Sequence, residues 1–327
     1  MQPDIQKVVI SNNLDIIKKF FDEVVIYQKQ TLNRWATITM QSPAAKIGYV
    51  GQHLASLITG IPGTCSGARG DDLSDGTEVK SCNKIDQADK CKSCGSRVMR
   101  SQTACPNCGS TKIDRKDDSK WLFSVRDEVE LEQYLNLDRV LLILMDYPGF
   151  DEDDFASIRI SAFEIYPKED RMNVFCDLIK NHYYNIYRPK ADAGGKTNPM
   201  NLHPFSFQFY KCNPILIFEC TIQDIDTHPI IEISEYVDPK AERGASMKSL
   251  DMPTHLLKDA EWDALLDNCD YPNDIIERYG IALTKDEFRR KTKKDKVKLL
   301  PFIDEKLKSF IPLRDIVSVS QREHYHR

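Results

Sequence analysis

Gly70-Asp-Asp-Leu-Ser-Asp-Gly-Thr-Glu-Val-Lys-Ser81 is the stretch of the chain from which the fold can be read outward. Ser74-Asp75-Gly76 is a turn signature: a type I turn closed by glycine in the left-handed conformation, which makes a three-residue hairpin loop. In that register Leu73 faces Thr77 and Asp72 faces Glu78. Strand side chains alternate, so Asp72, Glu78 and Lys80 fall on one face and Leu73 and Val79 on the other. A two-residue Asp75-Gly76 turn stays open as the alternative. It brings Asp71 onto the charged face but sets Asp72 against the core, where an unpaired carboxylate is costly. Asp72 is therefore preferred as the first acid, and Asp71 is held in reserve.

Two neighbouring carboxylates and a lysine on one strand face suit metal-dependent phosphodiester hydrolysis. The acids hold a hard divalent cation such as Mg2+, whose other positions go to water and phosphate oxygens. The cation polarises the phosphate and acidifies a bound water. Lys80 near the attacking water or the scissile phosphate offsets the developing negative charge.

Upstream, Ser42-Pro43 reads as an N-cap and first-turn proline, and Ile47, Val50, Leu54, Leu57 and Ile58 follow at helical spacing as far as Gly60. The loop 63–70 then enters the hairpin. This helix–loop–hairpin order, with Asp72 followed after five residues by Glu78-Val79-Lys80, resembles the PD-(D/E)XK nuclease superfamily, type II restriction endonucleases in particular. The resemblance implies a restriction-endonuclease-like α/β core, a central mixed β-sheet flanked by helices. It also implies that Asp72 and Glu78 are Mg2+ ligands, that the Val79 carbonyl joins them, and that Lys80 is the catalytic lysine. Gly70 and Asp71 stand where the family's name would put a proline. The preceding helix carries Gln52 and His53 where some members carry an acid, so no third ligand is assigned.

Downstream, Cys91-Lys-Ser-Cys94 and Cys105-Pro-Asn-Cys108 are each followed by glycine, and ten residues separate the pairs. Two residues between thiolates let a turn aim both sulfurs at one point. Gly95 and Gly109 can take the left-handed conformation that finishes such a turn. The expected product is a closed Zn2+ site of Cys91, Cys94, Cys105 and Cys108, structural because no coordination position is left open. Both knuckles resemble the zinc-ribbon family. The alternative, two redox CxxC motifs, lacks a thioredoxin-like βαβ pattern around it. The other six cysteines show no pairing pattern.

The chain has 327 residues, 41% hydrophobic and 29% charged, which is ordinary globular usage and speaks against disorder or a fibrous architecture. The longest apolar run, Val140 to Met145, is strand-sized and far short of a membrane span. The N-terminus shows no basic segment followed by an apolar stretch, so an intracellular, cytoplasmic protein is expected. The formal net charge is −5, yet 285–298 carries eight basic residues against three acidic ones. Phosphate is felt locally, so an acidic chain can still bind nucleic acid. Arg69, Arg97, Arg100, Arg289, Arg290, Lys293 and Lys294 are the candidate DNA contacts. The tail residues Arg322, His324, Tyr325, His326 and Arg327 are a further possible reach toward phosphate.

Apolar spacing predicts helices over 13–35, 128–135, 168–187, 260–266 and 285–300. Strands are predicted over 78–82, 120–125, 139–145, 156–166 and 215–222, and a surface loop over 188–201. Residues 1–240 are read as the nuclease core, 86–118 as a ribbon inserted between two neighbouring sheet strands, and 241–327 as a mostly helical, basic C-terminal region. No phosphate-binding glycine loop, nucleophile elbow or Cys–His pair is present, so neither a nucleotide cofactor nor nucleophilic catalysis is expected. The expected activity is Mg2+-dependent, sequence-specific cleavage of double-stranded DNA by a homodimer. A structure-selective repair or resolvase nuclease, and a non-catalytic zinc-ribbon binding module, are the alternatives.

Overall fold

The computed structural model describes residues 2–11, 14–39, 41, 43, 47–65, 71–84, 88–100, 102–244 and 247–314. Helix α1 (Leu14–Phe20) runs through a π-helical turn (Phe21–Ile26) into α2 (Tyr27–Thr39), and α3 (Ile47–Thr59) follows. After β1 (Thr77–Asn83), three short strands, β2 (Asp89–Cys91), β3 (Arg97–Val98) and β4 (Ile113–Asp114), make a sheet of their own. Then come β5 (Trp121–Phe123), α4 (Glu128–Leu135), β6 (Arg139–Asp146) and β7 (Ile158–Ile165). Helix α5 (Val174–Asn181) continues through a second π-helical turn (His182–Tyr187) into α6 (Arg188–Asp192). Strand β8 (Met200–Leu202), α7 (Phe207–Lys211), β9 (Ile215–Gln223) and β10 (Ile230–Tyr236) complete the first 240 residues. Beyond them lie β11 (Met252–Pro253), α8 (Asp259–Asn268), a third π-helical turn (Pro272–Glu277), α9 (Lys285–Arg289), α10 (Lys293–Leu299), β12 (Phe302–Ile303) and α11 (Glu305–Ser309).

The central sheet has the order β1-β6-β7-β9-β10, with β1 parallel to β6 and the other pairs antiparallel. All eight residues of β6 are buried, as a strand covered on both faces requires, which explains its unbroken apolar run. A hairpin cannot join parallel neighbours, so β1 reaches β6 by a crossover that carries β2 to β5 and α4. Helix α3 presses on the Val79 and Ser81 face of β1 so closely that a Cβ on Gly51 would stand 1.8 Å from Ser81 Oγ. On the other face, Lys80 meets Tyr134 of α4. The expected mixed sheet flanked by helices is therefore present.

The structure corrects four local expectations. Strand β5 does not rejoin the central sheet; it pairs with β8, because Trp121 and Phe123 are buried among Phe163, Phe175 and Phe209. The neighbour of β1 is β6. Residues 188–192 are helical rather than loop, continuing the turn before them. The basic stretch 285–300 is two helices, because Thr292 caps the second by accepting from Asp295 N–H. Strand β10 lies outside the predicted strands. It is an edge strand with no buried residue, so it leaves no apolar run to read.

One apolar cluster extends from Ile17 to Ile311 and takes in residues of α8, α9 and α11. Two buried lysines tie these last elements to the rest. Lys211 Nζ donates to the carbonyls of Lys308 (2.6 Å) and Ile311 beyond α11. Lys308 Nζ donates to Leu250 O (2.7 Å) and Tyr210 O (3.2 Å). Among the described residues the β2–β4 sheet has a separate cluster of Cys91, Val98 and Cys105, with Ile113 against it. Among the described residues no helix is long and apolar enough to cross a membrane.

Candidate active site and metal centre

The loop before β1 closes as the three-residue turn. Gly76 N–H donates to Leu73 O (3.1 Å) with Gly76 at φ +82°, and the amides of Asp72 and Leu73 both donate to Thr77 O (3.1 Å each). Leu73 is fully buried. The limb before the turn is not a regular strand, however; Leu73 bridges back to Gly63. Asp72 therefore does not sit in a ladder opposite Glu78. Its carboxylate reaches across to β1 instead, where Oδ2 accepts from Val79 N–H (2.8 Å) and Oδ1 accepts from the Gln52 side-chain amide of α3. Glu78 and Lys80 share a face of β1 and form an ion pair.

Asp72, Glu78 and Lys80 are thus brought together, each half-buried, while Asp71 is exposed at the rim with its carbonyl bonded to Thr64 Oγ1 (2.6 Å). Burial pushes the Asp72 carboxyl above its ordinary range despite the Val79 N–H, Lys80 and Gln52 that favour its ionised form. Burial likewise raises Glu78, against the pull of Lys80. For Lys80, burial alone would lower the ammonium pKa. The attraction of Glu78, Tyr134 and Asp72 outweighs it, so Lys80 is raised and stays charged. Two acids held this close with too little water are short of positive charge.

Gln52, Tyr134 and Arg139 hold this arrangement, and Asp75 serves it in an unforeseen role. Tyr134 lies against Lys80, with its ring packed edge-on to Phe123 at 5.8 Å. Behind the turn, Asp75 Oδ2 accepts from Arg139 (2.7 Å), and Arg139 also donates to Thr77 Oγ1 (2.8 Å) and Glu164 (2.9 Å). Arg243 and the Tyr166 hydroxyl complete the surroundings of Glu164 at 3.0 and 2.9 Å. Asp75 is thus the anchor of the loop as well as a turn former. A buried arginine at the start of an apolar strand is a sequence signal for such a network. Tyr134 carries none, and Gln52 stands out in the sequence only for not being an acid.

The four cysteines converge. Their sulfurs all lie within 4.8 Å of one another, with Cys91–Cys108 and Cys94–Cys105 at 3.6 Å. A tetrahedron with Zn–S of about 2.3 Å has edges of about 3.8 Å, so a zinc ion fits the cage. The two knuckles repeat one geometry. Gly95 N–H donates to Cys91 O and Gly109 N–H to Cys105 O, both 2.9 Å, with the glycines at φ +74° and +71°. Cys94 is pulled down to about 5 by Ser96 and Asn107. Cys108, despite the Ser110 amide, is pushed up to about 12 by Cys94, burial and its other sulfur neighbours. Four thiols this close cannot all ionise without a cation among them.

The candidate DNA contacts divide. Arg97, Arg290, Lys293 and Lys294 are exposed, and Arg289 is half-exposed and bound to Asp267. Arg100 is corrected: it is 4% exposed, paired with the buried Asp89 at 3.3 Å and stacked 5.0 Å over Phe150, so it faces the core rather than a duplex. Arg69 and the tail residues Arg322, His324, Tyr325, His326 and Arg327 lie outside the described residues.

The family model described as MamI restriction endonuclease matches residues 34–255, a stretch that includes the hairpin and all four zinc-type cysteines. The type II restriction enzyme MamI of Microbacterium ammoniaphilum is 32% identical over 189 residues, 58% of this chain and 53% of that protein. The chain thus spans about half the length of the curated relative it matches. No solved structure matches it.

Proposed function

Because the chain belongs to the MamI restriction endonuclease family, we propose that it cuts double-stranded DNA at a specific sequence, as a Mg2+-dependent homodimer of the type II restriction class. The observation that carries this reading is the meeting of Asp72, Glu78 and Lys80 on one hairpin, with both carboxyls short of solvent. The donor set fits a hard cation: two carboxylates and the Val79 carbonyl, all oxygen. When bound, Mg2+ supplies Lewis-acid polarisation of the phosphate and a more acidic water.

The chain's own residues do the rest. Gln52 and the Val79 amide orient Asp72 while leaving lone pairs free on its oxygens. Lys80, steadied by Tyr134, holds a permanent positive charge toward the scissile phosphate and offsets the charge that develops there. Arg139, through Asp75 and Thr77, fixes the loop so that the acids need not be ordered during the reaction. In a symmetric dimer each copy presents one hairpin to one strand of a two-fold site. Residues 1–240 would carry this chemistry, 86–118 the zinc ribbon, and 241–327 a basic flank in which Arg289, Arg290, Lys293 and Lys294 meet phosphates.

The test is incubation of supercoiled plasmid with the protein and Mg2+, followed by run-off sequencing of the ends. Discrete fragments that end at one sequence, absent when the metal is chelated, are expected. Cleavage confined to branched or mismatched DNA would replace this reading with a structure-selective nuclease. Binding without cleavage at every divalent metal would replace it with a non-catalytic module.

A further inference from the structure

Strand alternation gives the ribbon sheet two faces of opposite electrical character. In the register Asp89↔Val98, Lys90↔Arg97, Lys90↔Asp114 and Cys91↔Ile113, the residues Asp89, Cys91, Val98 and Ile113 turn inward. Lys90, Arg97 and Asp114 turn outward, and Lys92 and Lys112, joined by an N–H···O bond of 2.9 Å, extend that outer face.

The inward cations are all neutralised. Asp89 binds Arg100 (3.3 Å) and Arg115 (2.9 Å), Asp117 binds Lys84 (2.9 Å), and the two guanidinium groups stack on Phe150 and Phe155. The outward cations Lys90, Lys92, Arg97 and Lys112 are exposed, and among the described residues one carboxylate on their face, Asp114, pairs with one of them, Lys92, at 3.8 Å, so four cations against one acid leave this face net positive. The buried anchors also fix the ribbon to the core, so this charge is held in place rather than carried on a loose arm.

We propose that the outer face of the ribbon, Lys90, Lys92, Arg97 and Lys112, is a phosphate-contact surface for the DNA duplex engaged at the hairpin; the inference rests on the nuclease reading for the identity of that ligand. Charge complementarity selects the occupant, because a duplex presents a phosphate charge about every 1.7 Å of its axis. Position agrees. Lys84, the residue just beyond β1, is bonded to the ribbon's Asp117 (2.9 Å) and lies four residues from Lys80, a span of at most about 14 Å of extended chain. That span is well under one helical turn of DNA, about 34–36 Å, so a duplex lying on the hairpin carries phosphates past the ribbon.

The experiment measures equilibrium binding of a mixed-sequence DNA duplex to the full-length, zinc-loaded protein against salt concentration. All proteins carry Glu78→Gln to stop cleavage. A variant with Lys90→Gln, Lys92→Gln, Arg97→Gln and Lys112→Gln is compared with a control that removes the same charge elsewhere, Lys7→Gln, Lys19→Gln, Lys168→Gln and Lys240→Gln. The ribbon variant should keep its zinc and bind roughly 10–100-fold more weakly at low salt, with a log–log salt slope shallower by about 0.9 for each phosphate no longer neutralised. The control should keep the parent slope. Equal slopes in all three proteins, or equal loss in the control, overturn the inference while leaving the nuclease reading intact. A parent that binds no duplex overturns both.

Discussion

The ribbon takes all four of its converging groups from residues 91–108, two turns of identical geometry facing each other. The hairpin takes its three from one turn and one strand but borrows their orientation from elsewhere: Gln52 on α3, Tyr134 on α4, and Arg139 and Glu164 from the sheet behind the loop. The ribbon is local in geometry and dependent in stability, since its apolar cluster holds three buried residues. The hairpin is the reverse, stable because the main core holds Leu73 and Val79, and non-local in geometry. The electrostatics diverge in the same way. Burial lifts the hairpin acids Asp72 and Glu78, whereas Asp117 at the ribbon's foot ends below its ordinary value because Lys84 and Ser119 overcome its burial.

Metal removal should break this comparison open most widely. A four-thiolate zinc site contributes on the order of 10–16 kcal/mol of binding free energy, far more than three buried residues can supply. Chelation or Cys105→Ser should make residues 88–118 susceptible to limited proteolysis while the rest of the chain stays protected. A protease-resistant, zinc-free ribbon would mean that it has a core of its own. Metal analysis should find about one zinc per chain.

Asp89→Asn comes next. It leaves the buried Arg100 without its carboxylate and Arg115 with Asp153 alone, and breaking a buried pair from one side costs about 3–5 kcal/mol. Chemical denaturation should register that loss with zinc still bound, separating the ribbon's anchoring from its metal. Gly51→Ala probes the hairpin's dependence on α3. The added methyl meets Ser81 Oγ and Cβ, and overpacking of this kind costs about 1–3 kcal/mol. Because Gln52 moves with the helix, metal-dependent activity should fall along with stability.

The smallest effect is one of pH, on the metal-free hairpin and the ribbon's foot. Asp117 has a folded pKa below its unfolded value, so its contribution is present above the ordinary carboxylate range and is lost as pH falls through the lower folded value. Asp72 and Glu78 have folded pKa values above the unfolded ones. Their ionisation opposes folding at neutral pH, and that opposition fades as pH falls through the raised values. A tenfold change in a group's proton affinity on folding corresponds to about 1.4 kcal/mol. In melting temperatures followed from pH 7 downward, Asp117→Asn should flatten the acid limb, and Glu78→Gln should raise metal-free stability at neutral pH. The same slope in both variants would erase the contrast.

The two regions also differ in how far the sequence reveals them. Cysteine spacing and the following glycines disclose the whole four-cysteine cage, because every constraint lies within one short segment. Ser74-Asp75-Gly76 discloses the turn, and β6 announces itself by an apolar run that only a doubly covered strand tolerates. The sequence does not disclose that Asp72 reaches the Val79 amide rather than standing opposite Glu78, because the limb before the turn pairs with Gly63. Nor could charge alone reveal that Arg100 turns inward. That outcome depends on Asp89 and on Phe150, which lies beyond the ribbon in the chain. The break in 285–300 is readable, since Thr292 with Asp295 three residues on is a helix start.

The most direct test of the account is cleavage of duplex DNA under Mg2+ by Asp71→Asn, Asp72→Asn, Glu78→Gln and Lys80→Ala, side by side, with zinc content and melting temperature recorded for each. Asp72→Asn, Glu78→Gln and Lys80→Ala should each lose at least roughly 10²–10³-fold in rate with the zinc retained, and Asp71→Asn should stay near wild type. Undiminished cleavage by Glu78→Gln or Lys80→Ala, or loss confined to Asp71→Asn, would contradict it.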